Sequence, residues 1–187
     1  MRTRTKGWLD DAHLHELLRY ASPSERLAIA LMCDAGCRLA EALAFDPSSL
    51  TARGDLRIYS TKSRAWRTVP IPARLAAAIS GYPHPPSGPT LGLLTRRSVQ
   101  RRILELCRHA DLPPTTPHRL RHSYASRLHA SNVPLATISA LLGHRSIAVT
   151  LIYIHTGETD YAAAKKALDL RATRALARRH RPRYNPD

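Results

Sequence analysis

His118-Arg119-Leu120-Arg121-His122 is the most informative stretch of this chain, and Gly143-His144 and then Tyr153 follow it downstream. His118 and Arg121 are three positions apart, so a helix would bring both side chains to one face. Arginine binds phosphate oxygens, histidine moves protons and tyrosine can act as a nucleophile. The stretch therefore predicts a helix that contributes to a phosphodiester-cleaving site.

The bulk composition indicates a basic, single-domain protein with a polyanionic partner. The chain has 187 residues, of which 43% are hydrophobic and only 5% aromatic, so Leu, Ala, Ile and Val should form its core. Lys and Arg number 29 against 14 Asp and Glu, a formal net charge of +15. Such an excess is typical of nucleic-acid binding, although charge alone does not separate DNA from RNA or an anionic membrane.

The cysteines and the N-terminus favour a cytoplasmic location. No apolar run follows the basic first residues, and no apolar stretch reaches the ~20 residues that a membrane span needs. The three cysteines, Cys33, Cys37 and Cys107, are odd in number, which predicts unpaired thiols in a reducing compartment. Cys33 and Cys37 have no second pair of ligands nearby, so core packing is favoured over zinc, and no metal site is expected.

Hydrophobic spacing and capping signals predict a mainly α-helical fold with a small antiparallel β-sheet. The predicted helices are residues 8–20, 22–35, 38–44, 72–81, 95–110, 118–130, 135–142, 146–153 and 159–179. The predicted strands are residues 56–59 and 67–70, joined by a polar turn. Residues 82–89 carry four prolines and a glycine and predict an irregular loop, and residues 181–187 predict a disordered tail.

The transfer of a phosphoryl group requires a nucleophile, cations on the non-bridging oxygens and a proton for the leaving group. Arg38 and Arg121 are the candidate phosphate ligands, since a guanidinium pairs with two oxygens at once. His144 follows a glycine that ends a helix, Lys62 lies in the predicted turn as a general acid, and Tyr153 is the candidate nucleophile. Each residue alone is more often a surface, capping or core residue, but their joint order favours catalysis.

Four segments of the chain resemble the sequence boxes of the tyrosine recombinases, the family of phage integrases and Xer-type recombinases. Residues 35–41, AGCRLAE, resemble the first arginine box, and residues 61–71, TKSRAWRTVPI, resemble the hairpin with the catalytic lysine. Residues 116–125, TPHRLRHSYA, resemble the His-x-x-Arg box. Residues 141–146, LLGHRS, with residues 150–155, TLIYIH, resemble the closing box with the nucleophilic tyrosine.

The resemblance implies a fold and a mechanism. A tyrosine would attack DNA, form a 3′-phosphotyrosyl link and release a 5′-hydroxyl without metal, ATP or another cofactor. The implied catalytic set is Arg38, Lys62, His118, Arg121, His144 and Tyr153, with Glu41 orienting Arg38 or a neighbour. The candidate DNA-contacting residues are Arg64, Arg97, Arg101, Arg119 and Arg145.

The resemblance also implies domain organisation and partners. Residues 1–157 would be the catalytic domain and residues 158–187 a basic helix and tail that either dock on a neighbouring subunit, fold back or lie along DNA. The family's N-terminal core-binding domain is expected to be absent, so the chain is either a fragment or a minimal integrase. The expected partners are double-stranded DNA, other copies of the chain (a tetramer on DNA, a monomer without it) and a directionality factor, with no membrane.

Two other functions stay open on the sequence. A relaxing enzyme of the topoisomerase IB type would use the same residues without strand exchange. A non-catalytic DNA-binding protein descended from an integrase would need the basic charge but not Tyr153 together with Lys62 and His144. The complete residue set argues against the non-catalytic binder, and relaxation without strand exchange would favour the relaxing enzyme. The expected function is a recombinase or integrase of a phage or mobile element.

Overall fold

The structure is a computed structural model, and it describes Leu9 and residues 11–83, 90–92 and 94–144. The described residues form seven α-helices, one short 3-10 helix and one hairpin of two strands. The helices are α1 (Asp11–Arg19), α2 (Pro23–Asp34), α3 (Leu39–Leu43), α4 (Ala73–Ser80), α5 (Arg96–His109), α6 (Pro117–Ala130) and α7 (Leu135–Leu142). The strands are β1 (Leu56–Ser60) and β2 (Ala65–Val69), and the 3-10 helix spans Pro47–Ser49.

Side-chain caps set the starts of the helices that position the candidate site. At the start of α2, Glu25 Oε2 accepts the Ser22 backbone N–H at 2.8 Å, and Ser22 Oγ accepts the Glu25 N–H at 3.4 Å. This reciprocal pair satisfies two N–H groups that have no partner inside the helix. At the start of α6, Thr116 Oγ1 accepts the Arg119 N–H at 3.3 Å. The cap places His118 in the first turn of α6.

The two strands form an antiparallel hairpin with one face toward the core. Tyr59 pairs with Trp66 across the hairpin, and Ser60 pairs with Ala65 next to the turn. Leu56, Ile58 and Ser60 are buried, whereas the alternate residues of β1 are exposed, as the two-residue period of a strand requires. The burial of this face and the register of the two strands therefore fix the position of the turn at residues 61–64 relative to the core.

A buried ionic cluster joins α2 to its neighbours. Helices α2 and α6 pack against each other through a core that includes Leu31 and Leu120. Asp34, at the end of α2, is 5% exposed. It accepts hydrogen bonds from Arg127 of α6 at 2.9 Å and Arg74 of α4 at 2.8 Å. Because a buried carboxylate is costly without partners, this cluster fixes how α4 and α6 sit on α2.

The predicted class, mainly helical with a small antiparallel sheet, is confirmed. The structure places the ends of the predicted helices within a few residues, and β2 begins at Ala65 rather than at Arg67. The 3-10 helix was not predicted; it forms because Asp46 Oδ1 caps the Ser48 N–H at 2.8 Å. The predicted helices at 146–153 and 159–179, the tail and most of the loop at 82–89 lie outside the described residues.

Two further observations concern the described part of the chain. Within it, no helix is both long enough and apolar enough to cross a membrane, and no cluster of three or more His, Cys, Asp or Glu side chains could hold a metal ion.

The three cysteines are buried, and burial raises the pKa of the Cys37 thiol to about 12. All described residues belong to a unit that spans Met1–Tyr153, while a second unit, Ile154–Asp187, lies outside them.

Gly36 connects α2 to α3 in a backbone conformation that favours glycine, with φ of +63°. A Cβ atom at this position would lie 2.6 Å from Cδ1 of Tyr124 on α6. The Gly36 carbonyl accepts a hydrogen bond from Arg121 at 2.6 Å. The close approach of the connection to α6 therefore places this carbonyl within reach of Arg121.

We expect Gly36→Ala to lower the free energy of unfolding by more than ~2 kcal/mol, since left-handed backbone strain of about 1–2 kcal/mol adds to a clash with Tyr124. Gly54→Ala is the matched control. Gly54 has φ of +80°, but nothing lies within 4 Å of a Cβ placed there. Urea unfolding of both variants measures the difference, and equal losses would contradict the predicted contribution of Tyr124.

Candidate active site

The described residues of the predicted catalytic set come from four parts of the fold. Arg38 precedes α3, Lys62 lies in the hairpin turn, His118 and Arg121 lie on α6, and His144 follows α7. Tyr153 and Arg145 lie outside the described residues. The structure brings Arg38 and Arg121 together around Glu41, with His144 beside Arg121, whereas Lys62 and His118 are exposed.

Both the backbone N–H and the guanidinium of Arg38 are held by hydrogen bonds. Its backbone N–H donates to Glu41 Oε2 at 2.8 Å, and its Nη1 donates to Glu41 Oε1 at 2.9 Å. Its Nη2 donates to the Gly143 carbonyl at 3.3 Å. The side chain nevertheless remains 29% exposed. Arg38 is thus an oriented cation that still reaches solvent, as a ligand for an incoming anion must.

Arg121 is fixed by backbone carbonyls from two other parts of the chain. Its Nη1 donates to the Gly36 carbonyl and its Nη2 to the Leu142 carbonyl, both at 2.6 Å. Its side chain is 4% exposed, and Nη1 lies 3.7 Å from Glu41 Oε2. Because carbonyls satisfy its N–H groups without cancelling its charge, Arg121 places a positive charge in the interior of the site.

Gly143 and the end of α7 position His144. Gly143 adopts a left-handed conformation with φ of +64°, which ends the helix. The His144 backbone N–H then donates to the Ser139 carbonyl at 3.1 Å. The His144 imidazole Nε2 lies 3.1 Å from Arg121 Nη2. A guanidinium can only donate, so Nε2 is the acceptor and the neutral ring carries its proton on Nδ1.

The surroundings of His144 favour the neutral imidazole. Burial lowers its pKa first, and the positive charges of Arg121 and Arg38 lower it further, to about 4. Arg67 and His118 act in the same direction. At neutral pH, His144 is therefore a hydrogen-bond donor through Nδ1 rather than a cation.

Glu41 is the common acceptor of the site and is confined to the interior, with its side chain 4% exposed. Burial by itself would raise its pKa, but hydrogen bonds from Arg67 and Arg38 outweigh burial and lower the pKa to about 2. Glu41 therefore stays ionised and contacts protein groups. This position fits the predicted supporting role, in which Glu41 orients Arg38 or a neighbour.

Arg67 is a member of this cluster that sequence reasoning did not select. Its Nη1 and Nη2 donate to the two oxygens of Glu41 at 3.1 and 2.7 Å. Its Nε donates to the Leu141 carbonyl at 2.9 Å. In the sequence, Arg67 is one of many basic residues of a basic chain. The only feature that could have selected it is the alternation of side chains along the strand, which directs every second residue toward the core.

The predicted DNA-contacting residues that the structure describes are all on the surface: Arg64, Arg97, Arg101 and Arg119 are exposed. Arg64 lies in the hairpin turn beside Lys62 and has φ of +52°. Arg101 is 3.6 Å from Glu105, and Arg119 donates to the Pro114 carbonyl at 3.1 Å. Their exposure is compatible with contact to a polyanion, and their role stays a prediction.

Comparison with known proteins adds three findings. The model of the phage integrase family matches residues 92–159. A tyrosine recombinase XerC from Methylobacterium nodulans is 36% identical over 160 residues, which are 78% of this chain and 49% of that protein. A second XerC, from Chromohalobacter salexigens, is 34% identical over 142 residues, which are 69% of this chain and 47% of that protein. The chain thus spans about half the length of these relatives.

Solved structures share the fold. The catalytic domain of bacteriophage HP1 integrase is similar with a TM-score of 0.64 and 24% identity, covering 85% of this chain and 93% of that domain. The Tn1549 transposon integrase, solved with transposon right-end DNA, is similar with a TM-score of 0.73 and 17% identity, covering 90% of this chain and 67% of that one.

The fold is therefore that of the catalytic domains of recombinases and integrases, built around a cluster of arginines and a histidine. The chain belongs to the tyrosine recombinase family.

We expect His144 to make the free energy of unfolding depend on pH between about 6.5 and 4. Its pKa is about 4 in the folded protein and 6.5 in the unfolded chain, so in this window the unfolded state binds the proton more tightly. The stabilisation is complete above pH 6.5 and is lost as the pH falls toward 4. Urea unfolding at several pH values should show a shallower decrease for His144→Gln, and parallel curves would contradict the assignment.

Proposed function

We propose that this chain is the catalytic domain of a site-specific DNA recombinase or integrase that breaks and rejoins double-stranded DNA. The observation that carries the proposal is that Arg38 and Arg121 surround one buried carboxylate, Glu41, with His144 beside Arg121, in a chain of net charge +15. Preoriented donors of this kind stabilise the charge that develops on phosphate oxygens.

In the proposed reaction, Arg38 and Arg121 bind the non-bridging oxygens of one DNA phosphate. His144 donates a hydrogen bond to the same phosphate through Nδ1, and His118, in the first turn of α6, contributes beside it. The hydroxyl of Tyr153 gives its proton to solvent, and the phenolate oxygen attacks phosphorus while the bond to the 5′-oxygen breaks. The 5′-oxygen leaves as a hydroxyl with a proton from Lys62.

The products of this step are a 3′-phosphotyrosyl link and a 5′-hydroxyl. Attack of a 5′-hydroxyl on the link reverses the chemistry and releases Tyr153. Since one phosphodiester bond is exchanged for another, the energy is retained and neither ATP nor a metal ion is required. A 5′-hydroxyl from a second duplex gives recombination, and the original 5′-hydroxyl restores the substrate.

The different exposures of the site residues support this division of roles. Lys62 is exposed in a turn that extends from the core, where a flexible ammonium could meet a leaving oxygen. Arg38 is 29% exposed and Arg121 is 4% exposed, so an incoming phosphate would meet Arg38 first and Arg121 on the inner side of the site. Arg64, Arg97, Arg101, Arg119 and Arg145 would bind DNA phosphates around the site.

The domain limits and the assembly belong to the same proposal. Residues 1–157 would form the catalytic domain and residues 158–187 a basic helix and tail. The relatives are about twice as long as the matched part. We therefore propose full activity for the catalytic domain together with a further DNA-binding domain that completes the contact with DNA. A tetramer on two duplexes, with a directionality factor, would complete strand exchange.

A covalent trapping assay tests the proposal. We expect the chain, mixed with supercoiled plasmid in excess EDTA and quenched with detergent, to yield protein linked to DNA. Tyr153→Phe should abolish the link and leave DNA binding nearly unchanged, because it removes only the attacking oxygen. A link that persists in Tyr153→Phe would refute the nucleophile, and relaxed plasmid without recombinant product would favour a relaxing enzyme.

Arg38→Ala and Arg121→Ala should each slow covalent attachment by about 10²–10³-fold, the cost of removing one preorganised donor, or about 3–4 kcal/mol. Arg108→Ala is a control with the same change of charge, since Arg108 is exposed on α5. The rate of attachment at saturating DNA separates the variants. Normal rates in Arg38→Ala and Arg121→Ala would rule out their proposed contact with phosphate.

A further inference from the structure

We propose that Arg67 is a positioning residue that neutralises Glu41 and so leaves Arg38 and Arg121 available to a phosphate. This inference rests on the proposed function, because it assigns the task of Arg67 within the same site. It concerns a residue that binds no substrate and acts through a carboxylate.

The first observation is the two-point contact between Arg67 and Glu41. Nη2 of Arg67 lies 2.7 Å from Oε2 of Glu41 and Nη1 lies 3.1 Å from Oε1. This is the parallel geometry in which a guanidinium and a carboxylate bind most strongly. No other contact to Glu41 among the described residues uses two guanidinium nitrogens on two oxygens.

The second observation is the burial of Arg67. Its side chain is 9% exposed, compared with 29% for Arg38. Its third nitrogen, Nε, donates to the Leu141 carbonyl at 2.9 Å. Arg67 therefore directs all three nitrogens into the protein, and a DNA phosphate would meet Arg38 first.

The third observation is that the carboxylate of Glu41 is saturated. Each oxygen accepts one hydrogen bond from Arg67 and one from Arg38, which uses a side-chain nitrogen on Oε1 and the backbone N–H on Oε2. A carboxylate offers about four acceptor positions. Loss of Arg67 would vacate two of them in a buried place, where an unpaired charge is costly.

The nearest other cations would then be drawn to Glu41. Arg38 already donates to Oε1, and Arg121 Nη1 lies 3.7 Å from Oε2. Both guanidinium groups would then shift toward the carboxylate, away from the positions in which Arg38 meets solvent and Arg121 is held by the Gly36 and Leu142 carbonyls. With Arg67 present, three guanidinium groups surround one carboxylate, and the net positive charge of the cluster is retained for the anion.

Arg67 also connects parts of the chain that carry different site residues. It lies on β2, directly after the turn that bears Lys62, and it contacts both Glu41 of α3 and the last turn of α7. Its Cδ lies 3.2 Å from the point where a Cβ atom on Gly143 would lie, and Gly143 directly precedes His144. The same side chain thus aligns the hairpin with the end of α7.

The test uses inorganic sulfate as a probe, because this anion reports the phosphate site without DNA. The rise in Tm with sulfate, relative to chloride at equal ionic strength, is measured for the full chain, and Arg38→Met gives the part due to the site. We expect Arg67→Met to reduce the rise to the level of Arg38→Met. Arg67→Met/Glu41→Gln should recover part of it, since the unpaired carboxylate is then removed.

Arg127→Met is the matched control. Arg127 is an arginine with a side chain 20% exposed that pairs at 2.9 Å with a different buried carboxylate, Asp34. Its loss should lower Tm in chloride but leave the sulfate-dependent rise unchanged. Covalent attachment is measured in parallel, where Arg67→Met should slow the rate at saturating DNA by about 10–100-fold, as for other supporting residues, with little change in DNA affinity.

The outcomes separate the two proposals. A full sulfate response in Arg67→Met, or an equal loss in Arg127→Met, would overturn the positioning role. If Arg67→Met does not fold, Arg67→Lys is used instead, because a single ammonium cannot bind both oxygens of Glu41 and the Leu141 carbonyl. A sulfate response and an attachment rate of Arg67→Lys equal to those of the unmodified chain would overturn the role. The absence of a covalent product in the unmodified chain, also when an N-terminal DNA-binding extension and a candidate site are supplied, would refute the proposed function and leave the sulfate result interpretable.

Discussion

The carboxylate of Glu41 is the group on which the candidate site depends. It is buried, ionised and bound by Arg38 and Arg67, with Arg121 close by. A lone carboxylate in this position would be strongly unfavourable, and so would three adjacent guanidinium groups without a counter-charge. Each makes the other acceptable, and the excess of positive charge that remains is what a phosphodiester requires. The site is therefore a cluster in which one carboxylate offsets part of the charge of three guanidinium groups and leaves a net positive charge.

Backbone carbonyls complete this arrangement. Gly36, Leu141, Leu142 and Gly143 each accept a hydrogen bond from an arginine of the cluster. Carbonyls at the ends of helices lack partners within the helix, and their partial negative charge suits a cation. They orient the guanidinium groups without neutralising them. The end of α7 and the connection after α2 thus contribute acceptors to the site as well as connecting helices.

Most local features follow from short-range patterns in the sequence. Ser22 with Glu25 predicts a capping box, and the structure contains it. The breaks at Gly36 and Gly143 were predicted at residues that have positive φ in the structure. The strands were predicted from β-branched and aromatic residues, but the first residue of β2 was not, because Ala65 and Trp66 read equally well as part of the turn. The 3-10 helix was not predicted either, since one capping aspartate is a weak signal.

The sequence by itself determined the family, the helical class and the identity of the residues available for chemistry, because these depend on residue type and on spacing within single elements. The tertiary structure decided how these residues divide their roles. Arg38, Arg67 and Arg121 are chemically identical, and they differ in exposure and in partners only because α3, β2 and α6 meet at Glu41. Such a meeting depends on long-range packing of the core, which spacing along the chain does not encode. The same packing gives His144 its proton on Nδ1, because Arg121 donates to Nε2, and its neutral charge, because burial and then the charge of Arg121 lower the pKa of the ring.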